Sequence, residues 1–128
     1  MNPDEYVAHL RTVLTSNPHI AAFQLHTEQR GEGFLYLHGK AEFLNGGTLD
    51  FREFLEFHAN EVEKYLYAYN YRVRGEIVFR YDNAPDPRAK HLPTYPAHKH
   101  EGEELATSGH PDLMVAIQEI LQRDVKVE

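Results

Sequence analysis

Cysteine is absent from the 128-residue chain, which excludes disulfide staples, zinc ribbons and thiol nucleophiles. That absence fits a reducing compartment. No window approaches the roughly 18 consecutive apolar residues of a membrane-spanning helix, and the N-terminus lacks a basic start followed by an apolar stretch. The expectation is a cytoplasmic protein without a membrane partner. Positive charge is scarce too, with 13 Lys and Arg against 20 Asp and Glu and a formal net charge of −7. A general nucleic-acid coat is disfavoured, because counterion release needs a positive surface. What is present is 41% hydrophobic and 12% aromatic residues. That is enough to bury a core and argues against a disordered or collagen-like chain. The length corresponds to one domain over residues 1–128.

The charge is uneven. Residues 1–71, 72–100 and 101–128 carry −5, +3 and −5 by the same count of Lys, Arg, Asp and Glu. The cationic segment also holds His91, His98 and His100, so it gains charge as pH falls through the histidine reference value near ~6.5.

Asn2 can cap a first helix, with Pro3 in its first position and Asp4 and Glu5 in its first turn. Val7, Leu10, Val13 and Leu14 recur at helical spacing, and Asn17-Pro18 ends the pattern. From Ile20 to Asn83, short aromatic and β-branched runs divided by glycine and asparagine predict five strands, near 20–29, 33–43, 48–58, 62–73 and 76–83. Connections this short require antiparallel neighbours, so the sheet is a meander. Pro85, Pro87, Pro93 and Pro96 make residues 84–108 a long loop. Gly109-His110-Pro111-Asp112 then opens a second helix striped by Leu113, Ile117, Ile120 and Leu121. The class is α+β: a helix, a five-stranded antiparallel meander, a His- and Pro-rich loop, and a C-terminal helix, both helices on one face of the sheet.

Period two places Leu35, Leu37, Gly39, Ala41 and Phe43 on one face of the second strand. Leu49, Phe51, Glu53, Leu55 and Phe57 share a face of the third. A three-residue turn at Asn45-Gly46-Gly47 pairs Phe43 with Leu49, Ala41 with Phe51 and Leu37 with Leu55, and sets Glu53 against Gly39. A carboxylate in an apolar row belongs to a sheet margin bonded by a neighbouring arginine or tyrosine, or to a functional pocket. Tyr65, Tyr67, Tyr69 and Tyr71 alternate, and a bulged turn at Arg74-Gly75 continues their face with Ile77, Phe79 and Tyr81. The opposite face then carries Asn70, Arg72, Arg80 and Asp82. A tyrosine row fits sheet packing, with base stacking as the rival use.

The loop ends in Tyr95-Pro96-Ala97-His98-Lys99-His100-Glu101. If extended, it projects His98 and His100 to one side and Lys99 to the other. Two histidines at this spacing can form a metal pair with His91 and Asp82, or act as acid and base near neutral pH. RNA cleavage needs a base for the 2′-hydroxyl, an acid for the leaving 5′-oxygen and cations at phosphorus. His98, His100, Arg80 and Lys99 are of those types. A merely polar surface loop accounts for the same residues.

Phe79-Arg80-Tyr81-Asp82-Asn83-Ala84-Pro85, then Pro93-Thr94-Tyr95-Pro96 and His98-Lys99-His100, resemble the TumE family, small toxins of two-gene toxin–antitoxin modules. The resemblance covers roughly residues 30–105. It implies a helix-turn-helix antitoxin partner and toxicity acting on RNA, and carries over His98, His100, Arg80, Tyr81 and Asp82. The chain departs from the family's pattern at Asp86-Pro87-Arg88, where a histidine pair is common, and at Ala97, where histidine is usual. The resulting expectation is a cofactor-free, metal-independent endoribonuclease. Its candidate site is His98, His100, Arg80, Lys99, Asp82, Tyr81 and Glu53. A metal-dependent nuclease using His98, His100, His91 and Asp82, or a non-catalytic domain that occludes a target, are the alternatives. Oligomeric state stays open.

Overall fold

The computed structural model of the chain describes residues 1–59, 61–101, 104–109 and 111–127, with backbone alone for 124–127. Helix α1 spans Pro3–Thr15. Its start is a reciprocal cap: the Glu5 amide donates to Asn2 Oδ1 at 2.8 Å and the Asn2 amide donates to Glu5 Oε1 at 3.2 Å. Two of the helix's unpaired N–H groups are thereby satisfied. Leu10, Val13 and Leu14 form its buried stripe.

All expected strands are present, as β1 (Ile20–Gln29), β2 (Phe34–Phe43), β3 (Thr48–His58), β4 (Glu61–Val73) and β5 (Glu76–Asp82). The sheet does not stop there. His98–Glu101 (β6) and Glu104–Ala106 (β7) add to its edge, giving seven antiparallel strands in sequence order. The expected loop at 84–108 is thus mostly a bridge, with a 3-10 turn at Pro87–Ala89 that Asp86 caps. β6 reads His-Lys-His-Glu and has no apolar alternation. Pairing with the open edge of β5, rather than intrinsic propensity, makes it a strand.

The β2–β3 register differs from the expected one by two residues. Ala41 lies opposite Leu49, Gly39 opposite Phe51, Leu37 opposite Glu53 and Leu35 opposite Leu55. The turn begins one residue earlier than expected. The Gly46 amide donates to the Phe43 carbonyl, the Phe43 amide donates to the Gly47 carbonyl, and Gly46 takes a positive φ of 89°. Leu44-Asn45-Gly46 is therefore the loop, because the left-handed third position suits glycine. A two-residue slip preserves which face each side chain takes. It replaces Glu53 by Phe51 as the neighbour of Gly39. A Cβ at Gly39 would sit 2.5 Å from the Gln24 carbonyl oxygen and 2.5 Å from Phe51 Cζ. Gly39→Ala is expected to destabilise the protein by about 1–3 kcal/mol through this overpacking. That exceeds the roughly 0.5–1 kcal/mol that alanine gains in chain entropy. Thermal melting checks it; an unchanged or raised melting temperature would show that the β1 backbone yields freely.

Two bulges redirect side chains from the expected tyrosine face. One interrupts β3–β4 pairing between Phe54 and Leu55. Lys64 turns inward, and Tyr65 becomes exposed and donates to Glu56 Oε1 at 2.6 Å. The other lies between Tyr71 and Arg72 in the β4–β5 pairing. It leaves Ile77 exposed on the opposite face. The β4–β5 turn itself is tight, with Arg74 and Gly75 at φ 55° and 79°.

Helix α2 (Leu113–Val127) is capped by Asp112, whose Oδ1 accepts from the Val115 amide at 2.8 Å; His110, expected in this start, lies outside the described residues. Leu113, Ala116, Ile117 and Ile120 join Leu10, Val13 and Leu14 over Leu37, Leu49, Phe51, Tyr69, Tyr71 and Phe79 in one core. Both helices thus cover one face, as expected. Each fully buried aliphatic or aromatic side chain there contributes about 1.5–3 kcal/mol. No helix among the described residues is long and apolar enough to cross a membrane.

Candidate functional site

The face of the sheet away from the helices carries the polar residues of β5 and β6. Asp82 pairs with His98 and Arg80 with His100 across the two strands. Period two does the rest, turning all four side chains to the same side. Pairing also fixes the distances. His98 Nε2 is 3.0 Å from His100 Nε2 and 3.2 Å from Asp82 Oδ1. His100 Nε2 is 3.9 Å from Asp82 Oδ2. Arg80 Nε donates to Asp82 Oδ2 at 2.7 Å, and the Ala84 amide donates to Asp82 Oδ1 at 3.1 Å. These residues border an open depression of 410 Å³ between Ile77 and the 84–87 segment.

The four side chains are unequally exposed, at 1% for His98, 7% for Asp82, 22% for His100 and 33% for Arg80. His98 is a buried strand residue, not the solvated loop residue expected. Its Nδ1 lies 2.8 Å from the Pro96 carbonyl. A carbonyl only accepts, so Nδ1 carries a proton and Nε2 faces the triangle formed with Asp82 and His100. There a neutral His100 satisfies His98 Nε2 when its own Nε2 carries the proton and donates. Burial holds the His100 imidazole below its ordinary range, with His98, Arg80 and Arg88 pushing the same way and Asp82 opposing them. His100 is therefore neutral at pH 7.

Three candidates lie on the other face. Lys99 Nζ donates to both Glu119 oxygens at 3.0 Å and sits 5.0 Å from the Tyr81 ring centre. Tyr81 Oη donates to the same carboxylate at 2.5 Å. Burial pushes the Glu119 carboxyl upward, but the hydrogen bonds from Tyr81, Lys99 and Arg123 prevail and lower it. The trio fastens α2 to β5 and β6. Glu53 is 1% exposed under the helices. It accepts from Tyr6 and Tyr69 hydroxyls and lies 3.2 Å from Lys64 Nζ. Burial, then the charge of Glu53, holds both phenols far above their ordinary range, so they remain donors. Glu53 is neither marginal nor in the open depression. His91 is exposed and does not join the cluster of Asp82, His98 and His100.

Sequence reasoning passed over Asp86 and Arg88 as site residues. Asp86 borders the depression. Hydrogen bonds from Arg88, side chain then backbone, lower its carboxyl to about 2. Arg88 Nη2 is 2.8 Å from Asp86 Oδ2 and largely exposed. The available signal was their place directly after the Asn-Ala-Pro turn.

The structure is a small α+β protein whose antiparallel sheet has its helices on one face and, on the other, a cluster of two histidines, an arginine and a carboxylate in which His98 and Asp82 are buried. The chain belongs to the family described as Toxin TumE, whose model matches residues 10–127. Membership makes it a toxin and implies a cognate antitoxin. Neither the comparison with curated proteins nor that with solved structures gives a match.

Proposed function

We propose that the toxin cleaves RNA without a metal, at the cluster of Arg80, Asp82, His98 and His100. The supporting observation is the convergence of two imidazoles, one neutral at pH 7, beside an arginine in an open depression. His100 is the more exposed imidazole and takes the proton of the 2′-hydroxyl as that oxygen attacks the adjacent phosphorus. His98, paired with buried Asp82, orients the His100 ring, which gives the same proton up to the departing 5′-oxygen. Arg80 uses Nε on Asp82, and its terminal nitrogens face the charge developing at phosphorus. Lys99 is excluded from phosphate contact by its Glu119 bond.

One observation favours a second reading. His98 Nε2 lies 3.0 Å from His100 Nε2 and 3.2 Å from Asp82 Oδ1, and one donor atom from each of the three residues falls within 4.8 Å of the others. A tetrahedral ion with bonds of about 2.0–2.1 Å spaces its ligands by about 3.3 Å. These residues would hold such an ion, with Pro96 orienting His98 from behind.

Incubating the purified toxin with RNA, with and without chelator, separates the readings. Cleavage that survives chelation and leaves 2′,3′-cyclic phosphate ends, and that is suppressed by the helix-turn-helix antitoxin we propose as partner, is the expected result. Chelator-sensitive cleavage restored by Zn²⁺ would transfer the cluster to the metal reading. Toxicity without cleavage would favour an occluding domain.

A further inference from the structure

Beside the histidine cluster lies a second depression, of 370 Å³, that the proposed chemistry does not use. Arg80 borders both. The floor of the second is Ala68, whose methyl group is the least side chain on this face of β4. Its walls are Tyr36, His38, Arg52 and Asn70.

Cross-strand pairing explains the alignment. His38, Arg52, Ala68, Asp82 and His98 are successive partners in one row across β2, β3, β4, β5 and β6. Arg52 is two strands from Asp82, about 10 Å at ~4.8 Å per strand. That is the reach of one or two nucleotides from the reacting phosphate.

The chemistry of the walls is cationic and aromatic, although the chain carries −7. Arg52 and His38 are exposed. His38 is stacked on His26 with ring centres 5.0 Å apart at 24°. Tyr36 is half-buried, with the Arg30 guanidinium 4.7 Å from its ring centre. The carboxylate that borders the depression, Asp50, is neutralised by an ion pair with Arg72. Fixed rings beside the exposed Arg52 guanidinium suit a base and a phosphate together.

We propose that this second depression, walled by Tyr36, His38 and Arg52 over Ala68, binds the nucleotide adjoining the cleaved bond of single-stranded RNA. The base lies against the Tyr36 and His38 rings, and Arg52 meets the neighbouring phosphate. A single strand is favoured because its bases are free to stack on side chains, which a paired duplex does not allow. The inference rests on the RNA-cleavage reading for its substrate, but binding can be measured without cleavage.

The probe is a fluorescent 12-nucleotide 2′-O-methyl RNA, which lacks the attacking hydroxyl, titrated by anisotropy into the full-length toxin. Tyr36→Ala combined with Arg52→Ala is expected to weaken binding about 10-fold or more. Arg52→Ala alone should also reduce the slope of log affinity against log salt by about 1. Melting temperature should stay within a few degrees of the parent. Unchanged RNA affinity in the double variant overturns the proposal. So does unchanged RNA affinity with lost binding of antitoxin, which would assign the face to protein docking. RNA binding that depends on Tyr36 and Arg52 in a toxin that cleaves no RNA upholds the subsite and overturns the cleavage reading instead.

Discussion

Replacing His100 with alanine is expected to abolish toxicity and lower RNA cleavage about 10²–10⁴-fold, the range a positioned acid–base group supplies. Its melting temperature should stay within a few degrees of the parent, since the side chain is partly exposed. His98→Ala should be equally inactive but also less stable by about 1–3 kcal/mol. It removes a buried ring that bridges Pro96 and Asp82 and leaves polar partners unsatisfied. Both histidines were expected at the end of a loop as acid and base groups, and burial separates them. Stability should also respond to pH in a defined direction. The His100 imidazole is held below its ordinary range in the folded chain, so below about 6.5 the unfolded chain takes up the proton first. Stability is then lost as pH falls from about 6.5 towards the lower folded value, and His100→Ala flattens that dependence. Cleavage should fade at a pH below the ordinary histidine range. Full toxicity in His100→Ala would end the acid–base account.

The second large effect concerns Glu53, which is buried outside the depression. Glu53→Ala is expected to cost about 3–5 kcal/mol, because it leaves two buried phenols without their acceptor and the Lys64 ammonium without its counter-charge. In a domain of this size that lowers the melting temperature by roughly 10–20 °C. Glu53→Gln keeps an acceptor oxygen and should lose less. A shift of only a few degrees for the alanine variant would show that water replaces the carboxylate under the helices.

Strands β1 to β5 were legible because turn residues and period-two alternation bound them. The Glu53 row was legible in face and wrong in partner, since the position of a three-residue turn within Phe43–Gly47 decides register and several parses share one composition. β6 was illegible as a strand. Four polar residues become one only because β5 offers an edge. The same pairing explains the site. Alternation alone put Arg80 with Asp82, His98 with His100, and Lys99 opposite them. What brought the two pairs within 3–4 Å was long-range pairing, which no local pattern reports. Asp86 and Arg88 entered the neighbourhood by the fold of the Pro-rich bridge, again a non-local event.

The Lys99 clasp to Glu119 joins the two faces of the protein mechanically. The second residue of this four-residue strand is tied to α2, and the residues on either side of it are the two imidazoles. The lysine side chain is flexible, so this tie holds the strand in register against α2 without fixing either ring rigidly. The helix on one side of the sheet thereby helps place a strand whose histidines lie on the other.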